Sequence, residues 1–253
     1  MLAIISPAKT LDFGPLPYPV EATVPTFAED AAKLAKSAKR LSRRKLGEMM
    51  DISPKLADLT YQRFQQFDPD PDPRGAKPAI HAFKGDTYIG LDAGSISPED
   101  LTYAQEHVRI LSGLYGLLRP LDRIQPYRLE MHVGLKTRRG KDLYAAWGER
   151  LAEKLNETET DVIVNLASAE YWKAARADLL KADVITPNFL EVKDGVAKAQ
   201  SFALKRARGM LTRFIVENRI SNPDDLKNFS ETGYTFMPDL STPERPVFHR
   251  EQQ

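Results

Sequence analysis

Met1-Leu2-Ala3-Ile4-Ile5-Ser6-Pro7-Ala8-Lys9-Thr10 opens the chain with an unbroken apolar run that stops at Ser6-Pro7, the pattern of a buried strand leading into a loop. Working outward, residues 14–25 carry repeated prolines and read as an extended connector. Phe27, Ala31, Leu34, Ala35, Ala38 and Leu41 then recur at spacings of three and four, which predicts a helix with an apolar face. Lys33, Lys36, Arg40 and Arg44 form a second, basic stripe on the same segment. Ser42 is placed to cap a second helix running to Met50, with Leu46, Met49 and Met50 as its apolar side. Ser53-Pro54 repeats the signal for a third helix, with Leu56, Ala57, Tyr61 and Phe64 expected inward. Alternating proline in Asp68-Pro69-Asp70-Pro71-Asp72-Pro73 forbids a helix and makes this stretch the best candidate for a boundary.

Beyond that boundary the pattern turns to α/β. Residues 79–83 and 87–91 flank Lys84-Gly85-Asp86 and read as a β-hairpin. Residues 98–111 read as a helix continuing into a short strand, and Gly140-Lys141-Asp142 introduces a helix with Leu143, Trp147, Leu151 and Leu155. Residues 161–166 form a strand rich in branched side chains, followed by Ser168 and a helix from Ala169. Residues 188–192 and 196–201 flank a second hairpin turn, 202–219 a long basic helix, and 234–237 and 247–250 two closing strands. The expectation is a single mixed α/β domain over residues 1–253, with a small helical insertion at about 27–67.

Composition narrows the class. The 253 residues are 42% apolar and 28% charged, with no Cys, so disordered and coiled-coil chains are excluded, as are disulfides, thiolate metal sites and thiol redox chemistry. No apolar run is long enough to span a bilayer and no charged n-region precedes a long apolar stretch, which leads to the expectation of a cytoplasmic protein without membrane contact. Net charge is +1, yet residues 31–66 hold nine basic side chains against three acidic, and 193–219 seven against two. Segregation of this kind suits a polyanionic ligand, although charge runs are commonly no more than solvated helix faces.

Several reaction classes lack their signatures. His81, His107, His132 and His249 never approach the spacing that sets two imidazoles on one helical face, so no metal site is expected. P-loop, dinucleotide and nucleophile-elbow motifs are missing, and no cofactor is expected. Three polar segments fall where strands should end: Ser6 to Thr10, Ser112-Gly113-Leu114-Tyr115-Gly116 running on to Arg119, and Asn165 to Glu170 with Ser168 between them. Ligands of α/β sheets gather in that region. Lys9, Arg119 and Arg128 could hold an anion there, and Tyr115 and Tyr127 could stack on a base. The plain alternative is that these residues only cap helices and make turns. Glu130 and Glu170 are candidate acid–base groups, not distinguished by spacing from surface carboxylates.

Residues 46–57, two short helices around a tight turn with Ile52 between Asp51 and Ser53 and Lys55 beyond, are similar to a helix-hairpin-helix. Such a hairpin donates backbone amides to phosphate oxygens and positions a protein on DNA without reading sequence. Its turn is usually glycine-rich, whereas Asp51 here would repel a phosphate. An ordinary αα-hairpin is the competing reading.

The motifs taken together resemble one family. The opening through Leu11-Asp12, Ala82-Phe83-Lys84-Gly85-Asp86-Thr87-Tyr88, and Leu111-Ser112-Gly113-Leu114-Tyr115-Gly116-Leu117-Leu118-Arg119-Pro120 are similar to the YaaA family of bacterial peroxide-stress proteins. So are Gln125-Pro126-Tyr127-Arg128-Leu129-Glu130-Met131, Val164-Asn165-Leu166-Ala167-Ser168 and Lys205-Arg206-Ala207-Arg208-Gly209-Met210, in order along almost the whole chain. The resemblance implies an α/β fold of unusual topology with a helix-hairpin-helix and a positive cleft. It also implies binding to duplex and branched DNA, and protection from peroxide by limiting iron-driven damage. Carried onto this chain, the hairpin is residues 50–55, with Arg43, Arg44, Lys45, Ile52, Ser53 and Lys55 as its DNA-facing residues. The cleft candidates are Lys9, Lys84, Arg119, Arg128 and Lys141, with Arg206 and Arg208 from the basic helix. Ser6, Thr10, Ser112, Tyr115, Tyr127, Glu130, Asn165 and Ser168 complete the polar set. The expected partner is DNA and the expected state a monomer. An enzyme acting on a nucleobase or a sugar–phosphate bond in the cleft is the alternative, and a carrier that withholds iron a third.

Overall fold

The computed structural model describes residues 1–70 and 73–251. β1 (Leu2–Ile5) buries every side chain, as a strand covered on both faces must. The chain then forms β2 (Thr10–Leu11) and the proline-rich connector, where Thr23 makes an isolated bridge with Asp122. α1 (Ala28–Lys39) buries Ala31, Leu34, Ala35 and Ala38 and leaves Lys33, Lys36 and its C-cap Arg40 exposed, as expected, but it ends before Leu41, and Arg44 belongs to the next helix. α2 (Arg43–Met50) starts at Ser42, whose hydroxyl accepts from the Lys45 N–H at 3.2 Å. α3 (Pro54–Gln66) starts at Ser53, whose hydroxyl accepts from the Leu56 N–H at 3.4 Å. Leu56 does not point inward: it is 38% exposed, while Thr60 is 1% exposed and joins Ala57 and Phe64 on the inner face. Ala57, Thr60 and Phe64 fall three and four apart, and Leu56 lies about 100° around the helix from that line. The proposed boundary falls partly on Pro71 and Asp72, which lie outside the described residues.

The hairpin expected around Lys84-Gly85-Asp86 is not formed. The segment is β3 (Lys77–Pro78), α4 (Ala79–Ala82), β4 (Phe83–Lys84) and α5 (Asp86–Leu91). The cause is a distant contact with the long helix at Ser201–Glu217. A Cβ on Gly90 would lie 2.1 Å from the Arg206 carbonyl oxygen, and one on Gly209 would lie 1.8 Å from that of Thr87. Two helices meet backbone to backbone there, and short apolar runs such as 87–91 take the conformation the neighbour imposes.

The rest follows the sequence more closely. α6 (Pro98–His107), capped by Ser97, runs straight into β5 (Val108–Ser112), and β6 (Gly116–Leu118) returns antiparallel to it. β7 (Arg123–Ile124) pairs with β3, as β2 does with β4. The single helix expected after Asp142 is two, α7 (Leu143–Trp147) and α8 (Arg150–Asn156), because Gly148 takes a left-handed φ of 57° between them. β8 (Val162–Leu166), α9 (Ala169–Trp172) and β9 (Asp183–Ile185) come next. β10 (Asn188–Lys193) and β11 (Val196–Lys198) form the expected second hairpin, α10 (Ser201–Glu217) the basic helix, and β12 (Thr235–Phe236) and β13 (Val247–Glu251) the closing strands.

The main sheet has the order β6-β5-β1-β8-β9, with β5, β1, β8 and β9 parallel. A second sheet runs β11-β10-β13-β12. α10 packs on α5 and also on β1 and β8, so its cations are carried to the ends of those strands. Side chains of α1–α3, including Leu34, Leu46 and Phe64, belong to the same buried cluster as β1. No helix among the described residues is long and apolar enough to cross a membrane.

His81 gives this core a pH signature. Its Nε2 is buried without a partner and its ring meets Tyr18 edge-on at 5.8 Å. Burial, then the nearby Lys77 ammonium, pushes its pKa down from 6.5 to about 4. Between those values the unfolded chain binds the proton and the folded one does not, so stability present above pH 6.5 is lost as the pH falls toward 4. The urea midpoint is expected to drop across that window, and to drop less in His81→Gln. An identical pH profile in that variant would refute the assignment.

Candidate functional site

The three polar segments do follow parallel strands β1, β5 and β8. In chain order the parallel strands are β1, β5, β8, β9, but in space β5 lies on one side of β1 and β8 on the other. The connection leaving β1 therefore runs toward β5 while the one leaving β8 runs toward β9, in opposite directions, and a crevice opens between the carboxyl ends of β1 and β8. A cavity of about 440 Å³ fills that crevice. Ser6 and Lys9 line it from the loop after β1 and Thr10 from the start of β2, Ser168 from the loop after β8, Glu170 from α9, Lys205 and Arg208 from α10, and Lys84 from the end of β4.

Backbone and hydroxyl bonds hold the two loops together. Ser6 Oγ accepts from the Ser168 N–H at 2.8 Å and lies 3.3 Å from Ser168 Oγ, and the Tyr88 hydroxyl donates to the Ser6 carbonyl at 3.1 Å. Asn165 stays behind the cavity wall, accepting from the Ala167 N–H at 3.1 Å and donating to Thr186 Oγ1 at 3.3 Å. It shapes the turn rather than facing the cavity.

A smaller recess shares Lys9 with Tyr127, Arg128 and Glu130. Glu130 is only 5% exposed; its Oε1 accepts from Arg128 at 2.7 Å and lies 3.7 Å from Lys9 Nζ, while its Oε2 is buried without a partner. At the cavity itself Lys84 pairs with Asp12 at 3.0 Å and Glu170 with His132 at 2.9 Å. Asp12 is held below the usual carboxylate range by the Gly14 N–H and then by Lys84. Lys205 and Arg208 have no carboxylate partner among the described residues, and Arg208 Nε is buried without a hydrogen bond. Burial lowers the Arg208 pKa from its ordinary value. Lys205 is absent from the sequence-derived set, although its spacing of three from Arg208 on a helix was the available signal.

Other expected cleft residues lie elsewhere. Ser112, Tyr115 and Tyr127 are buried: Ser112 Oγ and the Tyr127 hydroxyl are 2.7 Å apart, the Tyr115 hydroxyl accepts from the Gln125 N–H at 3.0 Å, and the two rings meet edge-on at 5.5 Å. Burial raises both phenol pKa values; Tyr115 lines neither cavity, and Tyr127, although it borders the small recess, is only 6% exposed, so the two tyrosines offer little ring surface to a base. Arg119 turns to the fully buried Asp122, 3.5 Å away, in the turn between β6 and β7. Arg206 and Lys141 are exposed and line neither cavity.

At the helical pair, the turn 51–53 has Asp51 at a left-handed φ of 49°. The N–H groups of Asp51 and Ile52 both donate to the Gly47 carbonyl and so cap α2. The cations are partly neutralised: Arg43 pairs with Asp58 and lies 4.2 Å over the Tyr61 ring, Arg44 is 2.6 Å and Lys45 3.8 Å from Glu48. Lys55 has no carboxylate partner among the described residues.

A groove of about 790 Å³ runs between α1 and the turn 136–139. Asp30 holds Arg139 and Arg150 at its floor, the latter at 2.9 Å, and Arg150 lies 4.9 Å from the Trp147 ring. Lys36, Arg40, Lys136 and Arg138 line the groove exposed, without an ion pair among the described residues. Its end at Arg40 and Leu41 directly precedes Ser42 and α2. The basic stripe of α1 is legible in the sequence; Lys136, Arg138 and Arg139 are not, because only the fold brings that turn to α1. No three His, Asp or Glu side chains gather as a metal-ligand set among the described residues.

Residues 1–240 match the family described as peroxide stress protein YaaA. The chain is 50% identical over 256 aligned positions to a UPF0246 protein of Burkholderia thailandensis, covering 99% of this chain and 98% of that one. It is 51% identical, with the same coverage, to a UPF0246 protein of Burkholderia pseudomallei, and 50% to one of Burkholderia mallei.

Proposed function

Because the chain belongs to the peroxide stress protein YaaA family, we propose that it acts in peroxide stress by binding DNA through the phosphate backbone, without reading sequence. The observation that carries this reading is the groove of unpaired cations that leads into the α2–α3 pair. Exposed cations lacking acidic partners gain most from a ligand with evenly spaced charges, because each phosphate contact releases a condensed counterion. In this reading α2 and α3 serve as a helix-hairpin-helix in which the start of α3, with Ser53 and Lys55, meets a phosphate. The amides of Asp51 and Ile52, engaged with Gly47, do not. The protein works as a cytoplasmic monomer, and its effect on iron-driven damage runs through the DNA it covers.

Anisotropy of a labelled duplex and a branched junction tests this. Affinity is expected to fall by about 10³-fold between roughly 50 and 200 mM salt. Arg44→Glu with Lys55→Glu should lower the salt slope by about two. A slope near zero in the unaltered protein would overturn the reading.

Glu130 supports a second reading, an enzyme acting on a nucleobase or a sugar–phosphate bond. A buried carboxylate with one free oxygen, beside Lys9 at the edge of a cavity, suits proton transfer. Base release or strand scission on damaged DNA that disappears in Glu130→Gln would favour it.

A further inference from the structure

We propose that the cavity beyond β1 and β8 binds a phosphate monoester carried on a small molecule, with Arg208 and Lys205 holding the phosphate and Lys9 on the facing wall. The inference does not rest on DNA binding, since the cavity and the groove beside α1 have no lining residue in common.

Three observations converge on the ligand's chemistry. First, the cavity occupies the crevice between β1 and β8, whose outgoing connections run in opposite directions, the position at which open parallel sheets take their ligands. Its volume of about 440 Å³ suits a sugar phosphate or a mononucleotide.

Second, the charges are incompletely matched. Of the cations lining it, Lys84 is held by Asp12 and Lys9 stands 3.7 Å from Glu130. Of the carboxylates, Glu170 contacts the His132 ring at 2.9 Å, and Asp86 has no ion pair among the described residues. Lys205 and Arg208 remain, two positive charges one helical turn apart on α10. Two adjacent positive charges without acidic partners favour a dianionic monoester over a singly charged carboxylate or diester.

Third, Arg208 is an unusual residue to leave unpaired. Its side chain is half-buried, its Nε is shielded from solvent, and none of its nitrogens donates a hydrogen bond among the described residues. A guanidinium desolvated without an acceptor is costly, and a phosphate supplies oxygens at the spacing of its fork. Thr10, exposed at the start of β2, adds a hydroxyl for the carrier's polar groups.

The full-length protein is titrated calorimetrically with ribose 5-phosphate and adenosine 5′-monophosphate, with ribose and adenosine as controls. Both phosphates are expected to bind and neither control to do so; the tighter of the two identifies the carrier as sugar or nucleoside. Arg208→Gln should weaken binding by about tenfold or more, and Lys205→Gln, at an exposed position that folding tolerates, by a smaller factor. Lys36→Gln, in the other groove, should leave it unchanged. Equal binding of adenosine and its monophosphate would overturn the proposal, as would unchanged phosphate affinity in Lys205→Gln and Arg208→Gln. Binding confined to a 5′-phosphorylated oligonucleotide would also overturn it, whereas loss of duplex binding with phosphate binding retained would affect only the DNA reading.

Discussion

Alanine at Gly209 is expected to destabilise the protein by about 4 kcal/mol, at the upper end of single substitutions. The added Cβ would sit 1.8 Å from the Thr87 carbonyl oxygen and 2.7 Å from the Leu91 nitrogen. Both obstacles are backbone, so no rotamer change relieves them. α5 and α10 must separate, and α10 also packs on β1 and β8 in the main sheet. For a chain of this size the melting temperature should fall by roughly 10 °C. Gly134→Ala, where a Cβ meets nothing within 4 Å and φ is unremarkable, should change it little and serves as the control. Equal melting temperatures for the two variants would mean that the close helix crossing does not exist in solution. Because Lys205 and Arg208 ride on α10, any folded Gly209→Ala protein should also bind phosphate esters poorly.

Reversing the groove's charge should have the largest effect on DNA binding. Lys36→Glu with Arg138→Glu is expected to raise the duplex Kd by roughly two orders of magnitude at moderate salt and to flatten the salt dependence. Both side chains are exposed and neither has an ion pair among the described residues, so folding stability should be unaffected. A control with the same change in net charge, Lys181→Glu with Lys198→Glu, uses exposed residues outside the groove. If the control loses as much affinity, overall charge accounts for binding and the groove has no special role. The helical pair should matter less. Arg43, Arg44 and Lys45 already have carboxylate partners, and a phosphate must compete with Asp58 and Glu48 for them.

Much of the fold is legible without coordinates where local chemistry decides. Ser42 and Ser53 mark helix starts because a hydroxyl satisfies an otherwise unpaired amide, a bond made within one turn. The run at 1–5 reads as a strand because it is too short for a helix and stops at Ser6-Pro7. The segment 79–91 misled because its apolar residues suit either conformation, and the choice lies with Gly90 and Gly209, far apart in sequence. Tyr115 and Tyr127 misled differently: an aromatic next to Arg or Gly reads alike whether it lines a cleft or fills the core. Only the edge-on contact of their rings and the engagement of both hydroxyls distinguish the two.

By itself, then, the order of residues determined which segments are helices with one apolar side, where the polar loops after β1, β5 and β8 fall, and which family the chain resembles. These properties arise from interactions over a few residues or from whole-chain similarity. Tertiary structure decided which charges distant in sequence pair and which stay unpaired: Asp30 takes Arg139 and Arg150, Asp12 takes Lys84, and Arg208 has no partner among the described residues. Such pairing depends on closeness in space, because the attraction between charges weakens with separation, and for residues far apart along the chain only the fold sets that closeness.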